Sequence, residues 1–482
     1  MRNRLIYIYI IVVFFAILLA ACVEEEKFET AAGDRLTFSV DTLKMDTAIA
    51  GTNSVTRRFT IYNNNSDGIS ITNVAFLNGI TDGFSAIVDG THVDGNIPVS
   101  IDCRSKDSLL AFVQITPAES GQDDKVLHEA VLVFTLANGV SQTVVLQAYS
   151  QDVIWLKDIH VQSDMTLSAQ RPYLIRDSLT IENGATLTLE AGVRLMFPAN
   201  AFMRVKGRLV TNGTLDKPVV LRGDRMDYMF EDQPYDRISE QWQGIIIAPS
   251  SFGNNLCYCD IHSGSYGILC EKSDKIEEEK LRMENCIIHN VSGNGLEAYN
   301  AKLFIGNTQI SNAGGNCVCL YGGDNEFVHC TIAQFYPFSG LRGEALYYTN
   351  HKNKDNYNLL NAKFSNCIIT GYSDNEISGE QLEGYGKGAF NYYFQNCLLN
   401  TGEVVDENLI NILWDKPSNK VSRAGNFPNF NLDALSYDFS LDSLSVAIGA
   451  GDPTITQLYY PLDRRGKNRL EDGKSDAGCY EH

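Results

Sequence analysis

The sequence predicts an all-β chain: a right-handed parallel β-helix preceded by a small antiparallel β-sandwich. Three observations carry this. A short pattern, an Asn or His followed by a small residue and then by a buried aliphatic two further on, recurs from positions 284, 306, 328, 365 and 395, the first intervals being 22 residues. From Val153 onward short strands alternate apolar and polar residues with no helical period. Before that point the strands are separated by turn clusters typical of hairpins.

Residues 1–34 precede the folded parts. Arg2 and Arg4 form a positive start, Leu5 to Ala20 an apolar run, and Leu19-Ala20-Ala21-Cys22 a small-residue ending. The 16 apolar residues are fewer than the roughly 20 that span a bilayer. The ending resembles the lipobox of bacterial lipoproteins. That resemblance implies removal of 1–21, acylation of Cys22 and a tether over 22–34, with the membrane as the anchoring partner. The acidic run Glu24-Glu25-Glu26 is similar to the signal that sends some Gram-negative lipoproteins to the outer face of the outer membrane, so a cell-surface location is expected.

Residues 35–152 carry the sandwich. Arg58 to Tyr62, Leu109 to Val113, Ala130 to Phe134 and Thr143 to Leu146 alternate as strands with one wet face, and Asn63 to Gly68 is a turn cluster. Their order resembles the immunoglobulin-like modules that precede binding or catalytic domains in exported proteins.

Residues 153–482 carry the β-helix. Stacked coils place equivalent residues in columns about 4.8 Å apart. Asn285, Asn307, Asn366 and Asn396 are therefore expected to form an amide ladder at a turn, and Cys259, Cys286, Cys330, Cys367 and Cys397, one residue later, an inward column of small side chains. Of 12 cysteines, Cys22 is assigned to lipid, and the remaining odd number cannot pair completely within one chain. No Cys-x-x-Cys spacing occurs, and neither a metal site nor a cofactor is expected.

The segment Leu187 to Gly213 with Glu240-Gln241-Trp242-Gln243-Gly244-Ile245 resembles the exported β-helix repeat proteins of the pectin-lyase-like superfamily. The ending Tyr460-Pro461-Leu462-Asp463-Arg464-Arg465-Gly466, with Arg469 and Asp476 to Glu481, is similar to the terminal segment of such lipoproteins. The resemblance implies the fold. It implies activity poorly, because function belongs to a site. Of the polygalacturonase motifs, only Arg204-Val205-Lys206 approximates one, and it lies at the wrong end of the helix. Asp123-Asp124 falls in the first module.

A formal charge of -20 argues against nucleic acid as a partner. Within it, residues 171–225 hold nine basic against five acidic side chains. Arg204, Lys206 and Arg208 are expected to point outward from one strand, with Arg225, Tyr228, Tyr235 and Trp242 nearby, as a site for an acidic polysaccharide. His262, His289 and His329 are expected to be hydrogen-bonded members of stacked columns. The expected function is a surface lipoprotein that binds glycan without catalysis. The alternatives are a lyase or glycoside hydrolase acting on an acidic polysaccharide, and an adhesive or structural surface protein.

Overall fold

The computed structural model describes residues 27–28, 31–93, 99–353, 355–382 and 389–482. Cys22 and the expected signal lie outside them. Among the described residues no helix is long and apolar enough to cross a membrane. The chain divides into two compact units, Met1–Gln151 and Asp152–His482.

The first unit is a sandwich of two five-stranded sheets. In the first, Arg57–Tyr62 and Phe84–Val88 flank Ser108–Ile115. In the second, Val126–Leu136 pairs with Ser141–Gln151 over ten antiparallel steps. Ser108–Ile115 buries every second side chain, as a strand with one face on the core must. Phe59 and Phe134, from opposite sheets, meet edge to face at 6.4 Å. The antiparallel sandwich expected from the sequence is present, with one parallel pairing, where Thr42–Ile49 runs alongside Ser141–Gln151.

The second unit is a parallel β-helix with three faces. Sheet A runs through Arg194–Phe197, Val219–Gly223, Cys259–His262, Ile287–Val291, Gln309–Ala313, Thr331–Gln334, Ile368–Gly371 and Leu398–Leu399. Sheet B includes Phe202–Val205, Gly244–Ile247, Ile268–Cys270, Leu296–Tyr299, Val318–Tyr321 and Leu346–Thr349. Sheet C is ten-stranded and includes Arg208–Asn212, Lys302–Gly306, Gly323–Val328 and Leu359–Ser365. Each coil visits A, B and C in turn, so a residue is neighbour to one about a coil away.

Columns fill the interior. Ile261, Ile288, Ile310, Ile332, Ile369 and Leu399 follow one another in register along sheet A, all buried. Phe327, Phe364 and Phe394 stack face to face at 4.7 and 4.8 Å, the spacing of the strands that carry them. A polar substitution in either column would leave an unpaired group in a dry interior.

The turn from sheet C to sheet A explains the repeated Asn. Asn285, Asn307, His329, Asn366 and Asn396 all have φ between 51° and 58°. That left-handed conformation costs most L-residues about 1–2 kcal/mol, and Asn tolerates it because its short amide can hydrogen-bond locally. The 37-residue interval from His329 to Asn366 comes from two insertions: residues 335–345 between sheets A and B, and the small hairpin His351–Lys352 with Asp355–Asn356 before sheet C resumes.

The cysteine column does more than fill space. Cys259 N donates to Cys286 Sγ, Cys330 N to Cys367 Sγ and Cys367 N to Cys397 Sγ, each at 3.4 Å. Where the column carries Thr308, its hydroxyl accepts from Cys286 N at 3.2 Å. The small side chain is thus an acceptor for a backbone donor of the preceding coil, which would otherwise be orphaned. The eleven cysteines among the described residues are free thiols.

Candidate functional site

A cavity of about 440 Å3 opens on the outer face of sheet A. Its floor is Asp260 and His262 of Cys259–His262, His289 of Ile287–Val291, and Gln309, Ser311 and Asn312 of Gln309–Ala313. One wall is the single 3-10 turn Tyr235–Arg237. The other is Leu435–Asp438 together with Arg464, Arg465 and Tyr480 of the chain's last segment.

The floor follows from strand geometry. Residues two apart on a strand share a face, so Asp260 and His262 project together, and the register sets His289 beside His262 on the next coil. Asp260 Oδ1 lies 2.8 Å from His262 Nδ1 and 3.2 Å from His289 Nε2, with the imidazole centroids 4.7 Å apart. Burial raises the Asp260 pKa, but the two imidazoles outweigh it and hold the carboxylate well below its usual range. Burial, joined by the charges of His289 and Arg222, lowers the pKa of His262 against the opposing pull of Asp260. The pair is therefore an ionised carboxylate beside a neutral imidazole at neutral pH.

Three polar atoms of the lining are buried without a partner among the described residues: Asp236 Oδ1, Asn312 Oδ1 and Tyr437 OH. The other atom of each amide or carboxylate is engaged, Asn312 Nδ2 with Asn290 Oδ1 at 3.3 Å and Asp236 Oδ2 with Arg222 Nη1 at 2.7 Å. Arg464 donates through Nε to Asn285 O at 3.1 Å, and its terminal nitrogens make no hydrogen bond to the described residues. Arg465 is paired with Asp438 at 2.8 Å and lies over the Tyr480 ring.

The last segment forms the wall by lying along the ladder. Ala450 O accepts from Asn396 Nδ2, Asp452 N donates to Asn366 Oδ1, and Thr456 Oγ1 meets His329 Nε2. Arg469 reaches Asn307 and Arg464 reaches Asn285. Five successive coils are clamped. Gly478 is required here: its φ is 92°, and a Cβ would sit 2.7 Å from Thr331 Oγ1.

The residues expected from sequence lie elsewhere. Arg204 and Arg208 do not share a strand. Phe202–Val205 ends in sheet B, Lys206 and Gly207 turn the corner, and Arg208 opens a strand of sheet C. Arg204 is paired with Glu271 at 2.8 Å and Lys206 with Glu182 at 2.9 Å, so two of the three charges are already balanced. Arg225 is paired with Asp227 and lies 3.8 Å over Tyr235, while Tyr228 is exposed on a small hairpin. Trp242 is corrected outright as a ligand contact. It is fully buried, stacked 4.5 Å from Phe197, and its Nε1 donates to His262 O at 2.8 Å.

Of the histidines, His329 is a ladder member, whereas His262 and His289 converge on Asp260 at the cavity floor. That convergence needed the coil register, which spacing alone did not supply, although His262 and His289 are 27 residues apart, one coil.

No protein-family model and no curated protein matches the chain. Solved structures that match include an ASH / PapD-like domain of human CEP192, at 9% identity and TM-score 0.18, covering 27% of this chain and 94% of that one. The VesB protease of Vibrio cholerae matches at 16% identity and TM-score 0.17, over 24% of this chain and 31% of that one. A family 123 glycoside hydrolase from Clostridium perfringens matches at 11% identity and TM-score 0.18, over 24% and 26%. The chain thus spans under a third of the length of the last two, and likeness at these scores carries no argument.

Proposed function

We propose that this chain is a surface-displayed lipoprotein, anchored through Cys22, that binds an acidic glycan in the cavity on sheet A. The observation that carries the glycan reading is the cavity's unmet hydrogen-bonding capacity. Asp236 Oδ1, Asn312 Oδ1 and Tyr437 OH are buried and unpartnered, and Arg464 offers two terminal nitrogens. A buried polar group left unpaired costs about 1–3 kcal/mol, and sugar hydroxyls would meet that capacity. A guanidinium fork suits a carboxylate. The cavity volume, about 440 Å3, is within the range of small-molecule sites.

Calorimetric titration with oligogalacturonate and with a neutral oligosaccharide of equal length tests this reading. Binding of the acidic ligand alone, weakened by Tyr437→Phe, is expected; equal binding of both, or of neither, sinks the proposal. For the anchor, Cys22→Ala is expected to release the protein from membranes or leave it unprocessed.

One observation favours a second reading, a lyase. Elimination from a uronic acid needs a base beside a neutralised carboxylate, and neutral His262, oriented by Asp260, lines the same cavity as Arg464. Unsaturated, ultraviolet-absorbing products from purified protein would establish it.

A further inference from the structure

We propose that Asp260, His262 and His289 bind one divalent first-row transition ion of the zinc class at the floor of the sheet A cavity. The site is new to the reading above and does not rest on glycan binding.

The geometry points to it. One ligand atom from each of Asp260, His262 and His289, an imidazole nitrogen or a carboxylate oxygen, lies within 4.8 Å of the other two. Two of the three separations are 2.8 and 3.2 Å. Zinc bound at about 2.0–2.2 Å by tetrahedral ligands holds them roughly 3.3 Å apart, so both Asp260–histidine separations are near that value and the histidine–histidine separation, at most 4.8 Å, is the one that would close. Two imidazoles and one carboxylate suit zinc, iron, nickel or copper better than magnesium or calcium, which prefer all-oxygen shells.

The trio is also built rather than incidental. His262 and His289 are register partners on adjacent coils, so their separation is fixed by the backbone ladder. Trp242 Nε1 donates to the carbonyl of His262 from the core side and locks that strand. Three protein ligands leave a coordination position that opens on the cavity, as in sites where a metal holds water or substrate.

A divalent ion would bind through one lone pair of each imidazole and one oxygen of the Asp260 carboxylate, whose charge would offset one of the two metal charges.

Full-length protein in detergent, stripped with chelator and dialysed against Zn2+ alone, is expected to bind one equivalent per chain, and Zn2+ is expected to raise its melting temperature. His289→Gln and Asp260→Asn should each weaken Zn2+ at least tenfold and abolish the melting shift. His289 is half-buried, so its variant should fold; Asp260→Asn supplies the same readout independently. The Co2+ derivative should show visible bands of nitrogen and oxygen ligation without thiolate charge transfer. Unchanged stoichiometry and affinity in both variants overturns the proposal, as does a Co2+ spectrum of cysteine ligation. Zn2+ binding with no glycan binding would leave this site standing and remove the glycan reading.

Discussion

Arg469 Nη2 donates to Asn307 Oδ1 at 2.8 Å, joining the end of the chain to the middle of the corner ladder. Both side chains are buried. Asn307 also donates to Asn285 Oδ1 at 2.7 Å, and Arg469 to Gly478 O at 3.0 Å. One amide thus serves the ladder and the clamp together.

Asn307→Leu should remove these two bonds and a third, from Asn307 Nδ2 to Leu462 O at 3.3 Å, at about 1–3 kcal/mol for each buried group left unpaired, and add about 1–2 kcal/mol for a left-handed leucine. Asn307→Gly should show the first cost without the second. Denaturant titration of both variants checks this; parental stability in Asn307→Leu would mean that the column does not bear on folding.

The cysteine column makes a sharper distinction, because Cys367 Sγ accepts from Cys330 N and donates to Ser365 O at 3.3 Å. Thr308 repeats both contacts through its hydroxyl. Cys367→Thr should therefore be more stable than the isosteric Cys367→Val by about 1–3 kcal/mol, the cost of an orphaned backbone donor. Equal stability would show that the column only fills volume.

Much of this architecture was legible in the sequence because stacking repeats a local need at each coil. The left-handed corner selects Asn at 285, 307, 366 and 396, and the coil interior selects Ile288, Ile310, Ile332 and Ile369. The site was less legible. Asp260, His262 and His289 come together only through register, while Arg464 and Tyr480 reach the cavity from about 200 residues away in sequence. The basic run at 204–208 looked like one face because a corner at Lys206-Gly207 is invisible to alternation.

The ladder also predicts a pH response. Burial, with the nearby Arg469 charge, holds His329 well below the usual histidine range. Its unfolded pKa is about 6.5, so the unfolded state takes up a proton that the folded state refuses. The stability this residue contributes is present above pH 6.5 or so and is lost as pH falls towards the folded pKa. His329→Asn matches the other ladder residues and cannot titrate. Its stability should fall less than the parent's between pH 7.5 and 5.0, roughly the interval around that unfolded pKa; parallel curves would show that His329 is not the acid-sensitive group.

The last prediction separates the two basic regions as glycan contacts. Arg204 and Lys206 are spent on Glu271 and Glu182 in half-buried surface pairs, and exchanging such a pair for a ligand contact returns little, because a surface pair is worth about 0–1 kcal/mol and is screened by salt. Arg464 faces the cavity with its terminal nitrogens unengaged among the described residues. Arg464→Gln should therefore weaken oligogalacturonate about tenfold or more, the loss of a charge-assisted bond of about 1.5–3 kcal/mol. The triple replacement of Arg204, Lys206 and Arg208 by Gln should change affinity several-fold at most and chiefly alter its salt dependence. Calorimetry at low and high salt, with melting curves to confirm folding, distinguishes them. A triple variant that loses binding while Arg464→Gln keeps it would move the site from sheet A to the sheet B and C corner.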